Sequence, residues 1–487
     1  MKLNNKNRSE LMERGIDVPL YDRTKLAHNL VHIGLGNFHR AHFLTYVDTL
    51  LRNGQEISGV FEVDLIPSSP SFIDNLTSQD YLYSVLGLSS DGRKELRVNG
   101  PIWGYANQTT HPEKVSEVLE DSKTQLITLT ITEKGYFYKE DTQSLDWNNL
   151  EIIHDLLSLE SPKTAVGCLS QALSRRYRSK TPVTIMSCDN VPENGTILRR
   201  CILQFCEKKY PEIVSWIEEE IAFPCTMVDR ITPGTTEKDL QLIHDVYGIE
   251  DGCAVHCEDY IQWVIEDKKS SRIPDFAKAG ALIVDDVKPY ELMKIRLLNG
   301  SHSALSYPAY MMGITAVHDA VNHPVVREFI RNQYMEQIVH TLDPVPGIDL
   351  KQYMDKLISR FSNKNIADTV LRLASDGSKK IYNAIIKPLE EGRRKQKAVG
   401  ALVLALSLWE HYFICKDPDG NPMPIDDPKK EELVSLCHNP KNFLLAVGLD
   451  PEIAMDDSLI DEIKSNLQKL AEEGVEATLR GYSWKRN

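Results

Sequence analysis

The segment Glu291-Leu292-Met293-Lys294-Ile295-Arg296-Leu297-Leu298-Asn299-Gly300-Ser301-His302 concentrates side chains suited to acid–base chemistry. Read as an α-helix turning about 100° per residue, it places Glu291, Lys294 and His302 within about 80° of one another and Asn299 about 60° from His302. One broad face then carries four polar groups. Lys294 takes a hydroxyl proton at neutral pH only if burial or a nearby cation lowers its pKa from about 10.4. Asn299 holds a developing alkoxide without adding a charge that would oppose hydride departure. His302 orients a hydroxyl, and Gly300 lets a substrate or another helix come close. A solvated lysine and a core histidine fit the same pattern, so the helix alone leaves both readings open.

A second cluster, Gly34-Leu35-Gly36-Asn37-Phe38-His39, directly follows the short apolar run at 30–33. The first glycine suits a tight turn, the second lets backbone approach a pyrophosphate, and a helix N-terminus supplies its dipole. His39 stands where a third glycine is usual. Arg40 adds a cation near the phosphates, although a solvated helix arginine is equally consistent. Glu62 and Asp64 lie 26 and 28 residues beyond Gly36. An acid near that distance accepts from a ribose 2′-hydroxyl and favours NAD. The stretch Pro67-Ser68-Ser69-Pro70-Ser71 contains no acid, which leaves room for the additional phosphate of NADP.

These groups need elements to position them. The apolar runs at 30–33, 57–63, 125–131, 183–187, 226–228 and 281–284 predict strands, and Phe38, Ala41, Leu44, Val47 and Leu51 predict a helix over 38–52. The runs at 125–131 and 183–187 do not alternate, as expected for a parallel sheet covered on both faces. The segments Thr132-Glu133-Lys134-Gly135-Tyr136, Ser187-Cys188-Asp189-Asn190 and Cys225-Thr226-Met227-Val228-Asp229-Arg230 fall at strand ends, where open α/β sheets bind ligands. A strand-end aspartate also serves as a cap or turn former. Beyond residue 286 helical patterns take over, at 289–312, 324–341, 350–362, 366–374, 393–412 and 458–479. The expected architecture is an α/β Rossmann-type domain over 1–285 followed by a mainly α-helical domain over 286–487.

Composition narrows the function classes. The chain has 487 residues, 42% hydrophobic and 26% charged, an ordinary globular balance. Its net charge of −14 opposes nucleic-acid binding. The most apolar run, residues 398–409, is shorter than the roughly 20 residues that span a bilayer and reads as a buried helix. The basic stretch before it, Arg393-Arg394-Lys395-Gln396-Lys397, reads as a solvated helix start. Nine cysteines without repeated spacing and a polar N-terminus predict buried thiols in a cytoplasmic protein. Cys253, His256 and Cys257 lack a second ligand pair at zinc spacing, so no metal is expected.

Taken together, these segments resemble the polyol-specific long-chain dehydrogenases, the family of mannitol 2-dehydrogenases and fructuronate reductases. The resemblance runs from about residue 28 to 450. It is carried by His32-Ile33-Gly34-Leu35-Gly36-Asn37-Phe38-His39-Arg40-Ala41-His42, by 132–136, 187–195 and 223–233, by Gln262-Trp263-Val264-Ile265-Glu266-Asp267, by 294–302, by Arg360-Phe361-Ser362-Asn363 and by 375–380. It implies zinc-independent hydride transfer with Lys294 as general base and Asn190 and Asn299 as oxyanion ligands. It also implies Asp229 and His302 as ligands of substrate hydroxyls, Glu291 as a proton-path group, and Arg372 and Lys380 as polar lining. Gly34, Gly36, Phe38, His39, Arg40, Glu62, Asp64 and Glu133 are the expected cofactor contacts.

The resemblance implies a small-molecule polyol or ketose substrate, D-mannitol and D-fructose, with NAD as cofactor and NADP admissible. A fructuronate or tagaturonate reductase is the alternative, because Phe61-Glu62-Val63-Asp64-Leu65-Ile66-Pro67 resembles that branch and Arg372 or Lys380 would suit a carboxylate. A dinucleotide-binding sensor without turnover is the reading from a different class. Such a protein has no need to keep a proton acceptor at Lys294.

Overall fold

The computed structural model describes residues 1–26, 28–55, 59–158 and 161–484, and the chain divides into two compact units. The first comprises 1–89 and 93–287, the second 90–92 and 288–487.

The first unit is built on a five-stranded parallel sheet of β1 (His28–Ile33), β2 (Gly59–Asp64), β5 (Ile102–Asn107), β6 (Leu126–Leu129) and β9 (Thr184–Ser187). Their order is β5-β2-β1-β6-β9, so the direction of winding reverses between β1 and β6. A crevice opens at such a point outside the carboxyl ends of the strands. β2, β6 and β9 are buried along their whole length, as befits a parallel sheet between two apolar layers. Val31, Ile33, Val63 and Leu129 belong to one layer, while Leu30, Phe43, Val47 and Trp263 belong to the other.

The strand expected over 57–63 begins at Gly59 and runs to Asp64, and residues 57 and 58 lie outside the described residues. Further strands escape the sequence reading. β3 (Tyr83–Leu88) and β4 (Lys94–Asn99) pair antiparallel, with β11 (Val255–Glu258) beside β3. β12 (Gln262–Glu266) joins β10 (Thr226–Asp229) and β13 (Leu282–Val284), the two strands expected at 226–228 and 281–284, in another small sheet, and β7 (Tyr138–Lys139) and β8 (Ser144–Leu145) form a short hairpin. These elements are short or mixed in polarity, so their strand character comes from pairing partners distant in sequence.

The helix expected over 38–52 is two, Asn37–Ala41 and Phe43–Arg52. They are broken at His42, whose Nε2 donates to the Gln262 carbonyl at 2.9 Å.

The second unit is helical. The pattern at 289–312 is an α-helix Lys288–Met293, a π-helical segment Lys294–Asn299 and an α-helix Gly300–Met311. Wider turns recur at Phe329–Tyr334 and Tyr382–Ile386. The helix expected over 366–374 is confined to Val370–Ala374, after Ala367 adopts a φ of 51°. Gly474, at φ 83°, divides the last pattern into Asp457–Glu473 and Val475–Gly481.

The helix expected over 393–412 is also interrupted. Arg393 and Arg394 close a helix, Lys387–Arg394, rather than opening one. There their cations oppose the negative end of the macrodipole and pair with Asp456 and Asp450. The apolar run forms Gly400–Tyr412, buried from Ala401 to Glu410. Among the described residues, no helix is long and apolar enough to cross a membrane.

Glu410 is fully buried on that helix, and neither carboxyl oxygen has a hydrogen-bond partner. Burial pushes its pKa from 4.5 to about 8. The folded chain therefore holds the proton more tightly than the unfolded one. The stability tied to the neutral form is complete below pH 4.5 and is lost as pH rises to about 8. Glu410→Gln is expected to melt near the wild-type temperature at about pH 5 and several degrees above it at about pH 9. Thermal unfolding at the two pH values checks this, and equal melting shifts would count against a buried neutral carboxyl.

Candidate active site

In the first unit the glycine turn is built from underneath. Gly34 has φ 107°, and a Cβ there would lie 2.2 Å from the Thr130 carbonyl oxygen, so a side chain is excluded. His32, fully buried, hydrogen-bonds Thr128 Oγ1 through Nδ1 at 2.7 Å and the Gly34 carbonyl through Nε2 at 3.1 Å. Since a carbonyl only accepts, Nε2 carries the proton, and burial holds the ring neutral by lowering its pKa. Gly36, by contrast, is exposed, and nothing lies within 4 Å of the place its Cβ would take. The turn thus offers bare backbone to a phosphate, and the first turn of the helix that follows has N–H groups without intrahelical acceptors.

Several expected cofactor contacts are placed elsewhere. His39 is fully buried, stacked on His32 with ring centroids 3.3 Å apart, and its Nε2 is 3.0 Å from Glu62 Oε1. Burial raises the Glu62 pKa and lowers that of His39, so we read the contact as a neutral carboxyl–imidazole hydrogen bond. Arg40 is also buried. It donates to the Cys253 carbonyl and to Asn37 Oδ1 and lies over the Phe72 ring. The expected roles of His39, Arg40 and Glu62 at the phosphates and ribose are therefore replaced by a structural role beneath the turn. The physical reason is position along the strand: both acids point to one face of β2, but Glu62 lies in mid-strand under His39, whereas Asp64 is its last residue, beside the turn. Phe38 is half-buried and stacks on His42.

Asp64 is the acid at the turn. It accepts from the Leu35 N–H at 3.0 Å, Ser68 Oγ at 2.6 Å and Tyr105 Oη at 3.1 Å. A carboxylate has about four acceptor positions, so one remains for a ribose hydroxyl.

The other strand ends are tied together by two residues not singled out as functional in the sequence. Asp189 accepts from the N–H groups of Ile131 and Thr132 and from the Tyr136 hydroxyl, at 2.6–3.0 Å. It thereby holds Thr132 at φ 62°, a costly conformation for a β-branched residue, just before the exposed Glu133. Asn194 donates to the Asp189 and Thr226 carbonyls, each at 3.0 Å, joining the segment after β9 to the start of β10. Asn190, exposed, follows the end of β9, and Asp229, buried, is the last residue of β10. In the sequence Asp189 stands at a strand end and both residues fall in the 187–195 stretch, but nothing there marks either as a tie between strand ends.

In the second unit Glu291 and Lys294 are buried, and Asn299 and His302 are partly exposed. The His302 ring packs against Phe361 at 4.3 Å. The π-helical segment corrects the angular reading. On an uninterrupted α-helix Lys294 and Asn299 would lie about 140° apart. A segment with i→i+5 bonds turns less per residue, and so brings the two to within roughly 50° of one another around the axis. Arg372 is exposed and forms a two-point pair with Asp368 through Nε and Nη2, so its charge is balanced locally. Lys380 is exposed on the helix Gly377–Ile381. Among the described residues, no group of three or more His, Cys, Asp or Glu could hold a metal ion. The Cys253 and Cys257 thiols face the carbonyls of Phe72 and Leu86.

Residues 28–277 match the mannitol dehydrogenase Rossmann domain, and residues 286–471 match the mannitol dehydrogenase C-terminal domain. The chain belongs to the mannitol dehydrogenase family. Among relatives in this family, the mannitol 2-dehydrogenase of Phaeosphaeria nodorum is 36% identical over 99% of this chain and 86% of its own length. That of Aspergillus oryzae is 36% identical over 99% of each. The solved Pseudomonas fluorescens mannitol 2-dehydrogenase, a ternary complex with NAD and D-mannitol, superposes with a TM-score of 0.86 at 34% identity and covers 99% of both chains. A D-sorbitol dehydrogenase in substrate-free form superposes with a TM-score of 0.89 at 30% identity, over 98% of this chain and all of its own.

Proposed function

We propose that this chain is an NAD-dependent polyol dehydrogenase that interconverts D-mannitol and D-fructose in the cytoplasm. The observation that carries this reading is the full-length likeness to a mannitol 2-dehydrogenase solved with both NAD and D-mannitol. The nine cysteines are all free thiols, which suits a reducing compartment.

The glycine turn, with Asp64 beside it, fits the dinucleotide. NAD, when bound, supplies the hydride acceptor. The work of this chain's own residues is proton transfer and orientation. Lys294 takes the proton of the secondary hydroxyl in oxidation and returns it in reduction. Asn299, one π-turn away, and Asn190 donate to the alkoxide oxygen; loss of one such donor typically costs on the order of 10²–10³ in turnover. His302 and Asp229 hold substrate hydroxyls, Glu291 relays the proton, and Lys380 with Arg372 lines the sugar chain. The balancing of Arg372 by Asp368 favours a neutral sugar over a uronate, because a carboxylate ligand would compete with Asp368 for the same fork.

The test follows NADH absorbance with D-fructose against D-fructuronate, repeats it with NADPH, and compares D-mannitol with D-sorbitol in oxidation. Faster turnover of fructuronate would overturn the polyol reading. NADH binding with no turnover of any of these substrates would restore the sensor. Cofactor contacts have their own check. Asp64→Asn is expected to raise KM for NAD roughly tenfold through loss of a charge-assisted acceptor, while Glu62→Gln, buried beneath the turn, leaves the NAD to NADP ratio unchanged. A shift of that ratio in Glu62→Gln alone would return the ribose role to Glu62.

A further inference from the structure

We infer that Arg296 and Glu391 form a clasp behind the Lys294–Asn299 turn that sets the register in which those two polar groups share a face. This makes both positioning residues, and it rests on the reading of Lys294 as the base. Arg296 follows Lys294 by two positions, so its side chain leaves the helix on nearly the opposite side. It is only 2% exposed. Its guanidinium donates from Nη1 to Glu391 Oε2 at 2.8 Å and from Nη2 to Oε1 at 2.7 Å, a planar two-point fork. Nη1 also donates to the Thr341 carbonyl at 2.8 Å, just beyond the helix Met335–Val339. The turn is thus held from behind by two other segments of the unit.

The far end of the turn is fixed by contact rather than charge. A Cβ on Gly300 would lie 2.5 Å from the Tyr334 hydroxyl and 3.1 Å from the Ala384 carbonyl oxygen. Tyr334 and Ala384 themselves belong to the wider turns Phe329–Tyr334 and Tyr382–Ile386, and the Tyr334 hydroxyl donates to the Ala384 carbonyl at 3.3 Å. Three i→i+5 segments therefore meet around Gly300, one residue past Asn299.

The register matters because it brings Lys294 and Asn299 closer together around the helix axis. Reversion of the segment to α-helical bonding would swing them about 140° apart. A fork with two donors to one carboxylate and a third to a carbonyl opposes that rotation, and lysine cannot reproduce its geometry.

The decisive variants are R296K, which keeps the charge but loses the fork, and E391Q, whose side chain is 37% exposed and whose shape is conserved. The expected result in D-mannitol oxidation is a fall in kcat of about 10- to 100-fold for R296K and a smaller fall for E391Q. The pH at half-maximal kcat moves in both, with the NADH dissociation constant within about twofold of wild type. A wild-type kcat and pH profile in E391Q and in folded R296K would overturn the clasp, even if their melting temperatures fall. Lys294→Ala in the same assay separates the two ideas. Inactive Lys294→Ala beside wild-type-like clasp variants sinks the clasp alone, whereas active Lys294→Ala removes the base on which it rests.

Discussion

Lys294→Ala is expected to lower turnover by about 10³-fold in both D-mannitol oxidation and D-fructose reduction, with the fold and NADH binding intact. The symmetry follows from microscopic reversibility, because the group that takes the hydroxyl proton in one direction must return it in the other. Binding is spared because the dinucleotide turn is built by residues of the first unit, from Gly34 to Asp64. The contacts that hold this backbone, the Arg296–Glu391 fork and the packing of Gly300 on Tyr334, do not involve the Lys294 side chain, so they remain in the alanine variant. Steady-state rates in each direction, with circular dichroism and NADH fluorescence as controls, check the expectation. Near-normal turnover both ways in a folded variant would require another base.

Gly34→Ala is expected to be the most damaging single-methyl change in the first unit, costing on the order of 3 kcal/mol or more and abolishing NADH binding. The new Cβ would meet the Thr130 carbonyl oxygen at 2.2 Å while φ stands at 107°. Neither side can retreat easily. The Gly34 N–H is bonded to the Val63 carbonyl at 2.8 Å, and the Thr130 N–H to the Ile33 carbonyl at 2.9 Å, so β1 is held to both neighbours at this point. Gly36→Ala supplies the contrast. Gly36 has φ −90° and open space around its missing Cβ, so its methyl is tolerated by the fold but obstructs an approaching phosphate. Urea unfolding and NADH titration together check the pair. The expected result is lost stability in Gly34→Ala, and unchanged stability with at least about tenfold weaker binding in Gly36→Ala. Equal stability of all three proteins would show that the turn relaxes.

Much of the architecture was legible because it is written locally. Apolar runs without alternation, such as 125–131, have few stable alternatives to a buried parallel strand, and Gly34-Leu35-Gly36 after such a run announces a phosphate turn. The antiparallel pairing of Tyr83–Leu88 with Lys94–Asn99 was not legible, since Lys94, Glu95 and Arg97 interrupt the apolar pattern. Nor was the assignment of the two acids on β2. Glu62 and Asp64 are equally polar in sequence, and the layers above and below the sheet decided that Glu62 pairs with His39 while Asp64 closes the turn.

By itself the sequence determined which side chains are available for chemistry, Lys294, Asn299 and His302 among them, and that a dinucleotide turn precedes them. It set Lys294 and Asn299 at the two edges of one broad face, and only the tertiary structure decided that a wider turn draws them closer together. Helix propensity carries no signal for an i→i+5 turn, because such a turn is costly in isolation. Here it is held by the Arg296–Glu391 fork and by the close packing of Gly300 on Tyr334, contacts between residues far apart along the chain.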